Sequence, residues 1–189
     1  MPVRILVLSA AAVLCLPLVL LAYREGPLPN MAGGFGDPDC RTCHFENPLN
    51  APGGALTIGL PSAYAAAANY AVTVTLRRKA IERGGFEIVA RFAAGSQKGK
   101  QAGTWALPPG ALLQTVTSQK NPSLTFVQHT IAGSATKTPG IIRWTMTWRA
   151  PDSNQPVQFN VAANASNDDA SPIGDFIYTR QTVVPAKRR

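Results

Sequence analysis

The sequence predicts an all-β fold: an immunoglobulin-like antiparallel β-sandwich of about seven to eight strands, preceded by an amino-terminal apolar helix and a loop carrying a cysteine motif. Three observations support this fold class. Apolar and polar residues alternate with a period of two in several segments, turn-forming clusters separate those segments, and no strand–helix rhythm is present. A length of 189 residues fits one domain with an appendage and suffices for a core without disulfide bonds.

Eight segments carry strand signals. Successive side chains of a strand point to opposite faces of the sheet, so a half-buried antiparallel strand shows one apolar and one mostly polar face. The clearest examples are residues 70–77, 86–92, 143–149 and 157–164, and the weaker ones are residues 55–59, 112–117, 124–131 and 176–184. Residues 63–69 suit a helical turn or a connection between the first two strands. Three large side chains of one strand are expected in the core: Trp144, Met146 and Trp148.

The chain divides into five regions. Residues 1–22 are a signal peptide or an amino-terminal membrane anchor, because an apolar run at 5–22 follows Arg4. Residues 23–39 form a Gly/Pro-rich linker, 40–54 the cysteine-motif segment, 55–184 the sandwich and 185–189 a basic tail. The apolar run has the minimum length for a bilayer span, so cleavage and retention both stay open. Either way we expect export to the periplasm or cell envelope, with attachment to the inner membrane through residues 5–22 if they are retained.

The composition excludes several classes of protein. Net charge is +8, but the basic surplus is scattered, and there is no basic helix or interleaving of basic and aromatic residues. We therefore expect no nucleic-acid partner and a solvated basic surface. A single long apolar run excludes a multi-pass membrane protein, and no Gly-rich phosphate loop is present. No catalytic residues are predicted, and the chain is not expected to be an enzyme.

One motif carries specific chemistry, the stretch Cys40-Arg41-Thr42-Cys43-His44. This spacing is typical of c-type haem attachment. The thiols of Cys40 and Cys43 can each add to one vinyl group of a haem, and His44 can then reach the iron as the proximal ligand. Covalent attachment keeps the cofactor from being lost outside the cell. The sequence therefore predicts one covalent haem c.

Other uses of these residues stay open. Cys40 and Cys43 can form a disulfide in an oxidising compartment. A zinc site built from Cys40, Cys43, His44 and His129 is a weaker alternative, since ligands adjacent in sequence fit a tetrahedron poorly. The acidic stretch Asp168-Asp169, with nearby Asn and Asp residues, suggests either calcium coordination or, more simply, a solvated turn.

The sequence offers more than one candidate for the second iron ligand. His129 is the only histidine outside the motif, and by alternation it shares a face with Val127 and Ile131, which makes it the candidate distal ligand. Met31, in the linker close to the motif, is a weaker alternative. Two histidine ligands suit electron transfer at low potential, methionine raises the potential, and an open iron would suit a sensor or a minor peroxidase activity.

Several stretches resemble a known family, the reelin-like, immunoglobulin-type extracellular domain of bacteria known as choice-of-anchor V, which carries CxxCH at its amino edge. The resemblance covers about residues 33–184 and implies an exported β-sandwich with one c-type haem. A His-Thr pair followed by Gly and Ser recurs in such domains, which points to His129. The stretches that carry it are Gly36–His44, Leu56–Tyr64, Tyr70–Val74, Ala163–Ala165 and Gly174–Thr179.

Two functions from different classes follow. The first is an exported monohaem c-type cytochrome-like protein that transfers electrons in the bacterial cell envelope, with an unidentified redox partner protein there. The alternative is a non-haem adhesion or recognition β-sandwich with a Cys40–Cys43 disulfide. The presence or absence of covalent haem separates them.

Overall fold

Two antiparallel sheets face each other in the computed structural model, which describes residues 23–110 and 112–188. The predicted apolar helix and the signal or anchor in residues 1–22 lie outside the described residues. Within the described ranges, no helix has the length and apolar character needed to cross a membrane.

In the part of the chain that the structure describes, nine strands build the sandwich, and their pairings with one another are antiparallel. The four-stranded sheet has the order β1-β2-β7-β4, and the five-stranded sheet has the order β5-β6-β3-β8-β9. The predicted fold class is confirmed. In chain order the strands are β1 Gly54–Gly59, β2 Asn69–Arg78, β3 Arg83–Phe92, β4 Thr104–Ala106, β5 Leu113–Thr117, β6 Thr125–His129, β7 Ile141–Arg149, β8 Val157–Ser166 and β9 Phe176–Val184.

The core lies between the sheets and is rich in aromatic rings. Trp148 is fully buried and meets Tyr64 and Phe159 edge to face, with ring centroids 5.5 and 4.8 Å apart. Trp144 stacks on Phe86 at 4.4 Å. These contacts, together with the burial of Met146, confirm that the three large side chains of β7 belong to the core.

The connection from β1 to β2 contains no helix, although residues 63–69 are rich in alanine. Tyr64 decides its course because its ring is fully buried and its hydroxyl donates to the backbone oxygen of Gln155 at 2.5 Å. The backbone of Tyr64 also bonds to the chain near β9, where its N donates to the oxygen of Pro185 at 3.0 Å. Because Tyr64 fixes the second residue of this seven-residue stretch, the residues that follow are too few to form a stable helix.

The Gly/Pro-rich segment before the cysteine motif packs on the outer face of the five-stranded sheet. Ala32 joins a small buried cluster with Val89, Leu124 and Phe126. Asp37 forms an ion pair with Arg91, whose side chain is 5% exposed. These contacts fix the chain ahead of residue 40 and so position the motif loop at one end of the sheet.

A buried carboxylate on β3 holds the same segment. Glu87 is fully buried, and its carboxylate accepts hydrogen bonds from Met31 N at 2.6 Å and from Gln128 Nε2 at 2.5 Å. Gln128 Nε2 also donates to the oxygen of Pro27 at 2.8 Å. Burial raises the pKa of Glu87 to about 7, against an ordinary value of 4.5, and the hydrogen bonds oppose this only in part.

We expect Glu87 to make the stability depend on pH. Between pH 4.5 and 7 the unfolded chain releases a proton that the folded protein keeps, so stability falls as pH rises through this window and the loss is complete above pH 7. Glu87→Gln should remove this loss. The free energy of unfolding of the variant, relative to that of wild type, should therefore rise by about 3 kcal/mol between pH 4.5 and pH 8. Denaturant unfolding across that range measures it.

The control for this experiment is Glu82→Gln, because Glu82 is exposed in the connection just before β3, the strand that carries Glu87. Its difference from wild type should stay constant with pH. A Glu87→Gln difference that is equally constant would contradict the argument. His129 contributes to the pH dependence with the opposite sign, but it is present in all three proteins and therefore cancels from the differences.

Candidate functional site

An apolar cavity of about 510 Å³ lies beside the motif loop. Its walls come from the segment before the motif, the loop itself, the start of β3 and the turn between β8 and β9. Three large apolar side chains on it are strongly exposed: Leu28, Phe45 and Ile173. The volume falls within the roughly 300–1,000 Å³ typical of small-molecule and cofactor sites. Soluble monomers rarely expose several large apolar side chains together, so such a group marks a binding site.

The motif loop is a short 3₁₀ turn, Cys40–Thr42. The side chain of Asp39 caps it by accepting from Arg41 N at 2.7 Å. The backbone N of Cys43 and that of His44 both donate to the oxygen of Cys40, at 3.3 and 3.1 Å. The turn thereby places Cys40, Cys43 and His44 on the same cavity wall.

Both cysteines of the motif are free thiols in the structure. Cys43 is exposed, while Cys40 is half-buried. Burial raises the pKa of the Cys40 thiol far above its ordinary value, and the nearby carboxylates of Glu87 and Asp39 raise it further. Because the thiolate is the reactive form, Cys40 is poorly suited to a dithiol redox cycle in the folded protein.

The imidazole of His44 is held by a buried carboxylate. His44 Nδ1 lies 2.8 Å from Asp175 Oδ2, and the Asp175 side chain has no exposed surface. The same carboxylate accepts from Asn164 Nδ2 at 2.7 Å and from Asn167 N at 3.3 Å. An acceptor at this distance places the proton of a neutral imidazole on Nδ1, which leaves the lone pair of Nε2 available.

His129 lies on another wall of the cavity, at the end of β6. Its Nδ1 either accepts from Phe86 N at 3.0 Å or donates to Phe86 O at 3.3 Å, depending on the tautomer. Burial lowers the pKa of His129 to about 4, so the ring is neutral at pH 7. Only the tautomer that donates to Phe86 O leaves the lone pair on Nε2.

A glycine in β3 makes room for this ring. A Cβ on Gly85 would lie 2.7 Å from His129 Cε1, closer than real Cβ contacts. Gly84 and Gly85 both lie inside β3. Gly84 approaches the core in the same way, since a Cβ there would lie 2.8 Å from Ile142 Cγ2.

Met31 also lines the cavity. The structure thus brings all the predicted site residues to one place, namely Cys40, Cys43, His44, His129 and Met31. Their roles toward a cofactor stay predictions. Sequence reasoning missed Asp175 as the partner of His44, although both residues lie in stretches that carry the family resemblance.

The acidic turn after β8 is engaged with arginines. Asp168 accepts from Arg83 Nε at 2.7 Å and Nη2 at 3.1 Å, and from Arg24 Nη2 at 3.1 Å. The hydrogen bonds from Arg83 hold the pKa of Asp168 below its ordinary value. Asp169 bonds within its own turn, where Asn167 Nδ2 donates to its carboxylate at 2.9 Å.

Comparisons with known proteins identify distant β-sandwiches. No family model and no curated protein matches the chain. The human F-spondin reeler domain is 17% identical, with a TM-score of 0.43 over 71% of this chain and 88% of that one. A cohesin module from a Clostridium perfringens family 33 glycoside hydrolase is 9% identical, with a TM-score of 0.48 over 72% of this chain and 98% of that one.

A DUF4466 family protein from Parabacteroides merdae is 13% identical, with a TM-score of 0.35 over 74% of this chain and 45% of that one. The similar solved structures thus include a reeler domain and a cohesin module, both β-sandwiches. At these identities and scores the likeness carries no argument about function.

These findings correct the classification expected from the sequence. Within residues 23–110 and 112–188, no group of three or more His, Cys, Asp or Glu side chains is arranged to hold a metal ion. The expected classification as a cytochrome and as a haem, iron or metal-binding protein is therefore contradicted, because nothing in the described residues supports it, and the zinc and calcium alternatives lose their support as well. For the calcium alternative the reason is local, because two arginines, Arg24 and Arg83, occupy the carboxylate of Asp168. The description as an immunoglobulin-like β-sandwich fits the two antiparallel sheets.

Proposed function

We propose that this chain is an exported binding domain whose cavity takes one flat, largely apolar prosthetic group, a haem attached covalently at Cys40 and Cys43. The observation that carries the proposal is the composition of one cavity. Both motif thiols, both histidines of the chain and a set of exposed apolar side chains line the same space of about 510 Å³. An ordinary pocket for a soluble ligand has no need of this combination.

The proposal does not require a metal site built by protein side chains. Within a haem the porphyrin itself holds the iron, and the protein contributes at most two axial ligands. The residues present fit such a group, because the cavity offers thiols, imidazoles and apolar walls without a cluster that would bind a bare metal ion. Haem bound here would supply one-electron redox chemistry.

The chain's own residues have distinct parts in this proposal. Cys40 and Cys43 would hold the haem through two thioethers, each formed by addition of one S–H bond across one vinyl double bond, sulfur to one carbon and hydrogen to the other, so no oxidant would be needed. His44 would offer Nε2 to the iron while Asp175 holds its Nδ1 proton. His129 would offer Nε2 as a second ligand in the tautomer that donates to Phe86 O, and Met31 is the weaker alternative.

Electron transfer to a redox partner in the cell envelope stays a prediction that depends on this attachment. So does the association with the inner membrane through residues 5–22. The axial ligands decide the outcome, since saturated iron suits electron transfer and an open site suits small ligands.

A recognition β-sandwich without haem is the second candidate. Two observations favour this candidate: both thiols are free, and the side chains of Leu28, Phe45 and Ile173 are exposed. These apolar side chains would then contact an apolar ligand or partner directly. This protein would be colourless. Closure of a Cys40–Cys43 disulfide would belong to this candidate and would exclude covalent haem.

The test is to produce the full chain in a bacterial host with c-type haem maturation and to extract it with acid–acetone. The proposal expects the pellet to retain haem and to give a pyridine haemochrome spectrum of the c type at about one haem per chain. The control is the same chain produced without the maturation apparatus. A colourless pellet under maturation conditions would contradict covalent attachment and favour the second candidate.

A further inference from the structure

The exposed charged side chains on the outer face of the four-stranded sheet are all arginines. Its strands, β1, β2, β7 and β4, contain no Asp or Glu, and the chain's 10 acidic residues all lie elsewhere. Arg77, Arg143 and Arg149 are exposed there, and within the described ranges none of the three forms an ion pair. Unpaired guanidinium groups on one face attract an anionic partner.

The strand register sets the spacing of these charges. Arg143 and Arg149 lie six residues apart on β7, which separates them by roughly 20 Å along the strand. Arg77 lies on the neighbouring strand β2, paired with Ile141 two residues before Arg143. The charges therefore form a row along the sheet.

Hydroxyl groups occupy the positions between the arginines. Thr145 and Thr147 lie between Arg143 and Arg149 on β7, and Thr73 Oγ1 is 3.0 Å from Thr145 Oγ1 across the strands. The exposed residues of these strands are otherwise small, namely Ala, Gly, Thr and Asn. The face thus bears hydroxyl groups and has no large exposed apolar side chain.

A shallow cavity of about 380 Å³ lies at one end of this row. Arg77, Arg78 and Lys79 line it together with glycine backbone. Arg78 is held in place, because its Nη1 donates to Tyr178 Oη at 2.6 Å and its guanidinium lies 3.1 Å from the ring centre of Phe176. Because those partners lie on β9 of the other sheet, Arg78 belongs to the inward side, and the exposed cations at this end of the row are Arg77 and Lys79.

We propose that this face binds an acidic polysaccharide whose carboxylate groups pair with the arginine row and whose hydroxyls meet the threonines. The arginine row, in which Arg143 and Arg149 alone span roughly 20 Å, suits an extended sugar chain of several units. The exposed residues of this face include no large apolar side chain that could insert into a membrane or form the centre of an apolar protein interface. The proposal does not depend on the haem or on the cavity beside the motif.

The test measures binding of a fluorescently labelled uronate hexasaccharide by fluorescence polarisation at low salt. We expect wild type to bind it, to bind a neutral cellohexaose far more weakly, and to lose affinity as salt is raised. The triple variant Arg77→Gln/Arg143→Gln/Arg149→Gln should bind at least tenfold more weakly. Arg77→Lys/Arg143→Lys/Arg149→Lys should keep part of the affinity, because it keeps charge but loses the bidentate fork.

The matched control is Lys98→Gln/Lys100→Gln/Arg180→Gln, which removes the same charge from exposed positions outside the four strands. It should change the affinity less than twofold, and circular dichroism should show all variants folded. Equal weakening by the control would overturn the proposal in favour of net charge alone. So would absence of binding by wild type, or tighter binding to phosphatidylglycerol vesicles or duplex DNA. Measurements with and without covalent haem should agree.

Discussion

Replacing Cys40 and Cys43 together by serine is expected to abolish covalent haem attachment completely and to leave the β-sandwich folded. The two sulfur atoms are the proposed attachment points, and neither residue belongs to the core between the sheets. Stability should change by about 1 kcal/mol or less, as for surface substitutions. Haemochrome spectra of acid–acetone pellets and thermal unfolding measure the two effects.

The single variants sharpen this experiment. Cys40→Ser and Cys43→Ser should each retain haem through one thioether, with a haemochrome band shifted from that of wild type because one vinyl group stays unreacted. Haem retained by the double variant would place the attachment elsewhere, and Cys15 is the chain's other cysteine. A third outcome is that the double variant unfolds while both single variants keep their haem. That result would indicate that the two cysteines have a structural role instead.

Replacing Asp175 by alanine is expected to have the second-largest effect. The change removes a fully buried carboxylate and leaves the donors of His44, Asn164 and Asn167 without their acceptor. Such losses cost about 1–3 kcal/mol for each buried group, so we expect a destabilisation of about 3 kcal/mol. Denaturant unfolding of the haem-free chain measures this directly.

The same variant should release His44 from its fixed orientation. In the haem-loaded protein we expect the thioethers to survive, and added imidazole or carbon monoxide to bind more readily than to wild type. Asp169→Ala is the control, because Asp169 is exposed on the same turn and bonds only within it. Equal behaviour of the two variants would contradict the role given to Asp175. Partial rescue by Asp175→Asn would support it.

The sequence predicted the strands well because their side chains alternate over at least five residues. It missed β4, since Thr104–Ala106 is too short for a period to be visible. It also gave no sign that the Gly/Pro-rich segment packs on the sheet, because the contacts that hold it, Glu87 with Met31 and Asp37 with Arg91, join residues more than 50 positions apart.

The site was predictable where its chemistry is local and not where it depends on distant contacts. The CxxCH spacing singled out three residues, and scarcity of histidine singled out His129. The partner of His44 is Asp175, which lies 131 positions later and reaches it only through the turn after β8. The space for His129 depends on Gly85, whose role appears only when β3 and β6 are brought side by side.

Intact mass under denaturing conditions tests the central proposal most directly. The full chain matured with c-type haem apparatus and extracted with acid–acetone should be heavier by one haem than the same chain with Cys40→Ser/Cys43→Ser, after allowing for the two side-chain changes. Processing of the amino terminus affects both proteins equally. A wild-type mass without haem would contradict the account, and a mass lower by two hydrogen atoms would identify the Cys40–Cys43 disulfide of the competing recognition domain.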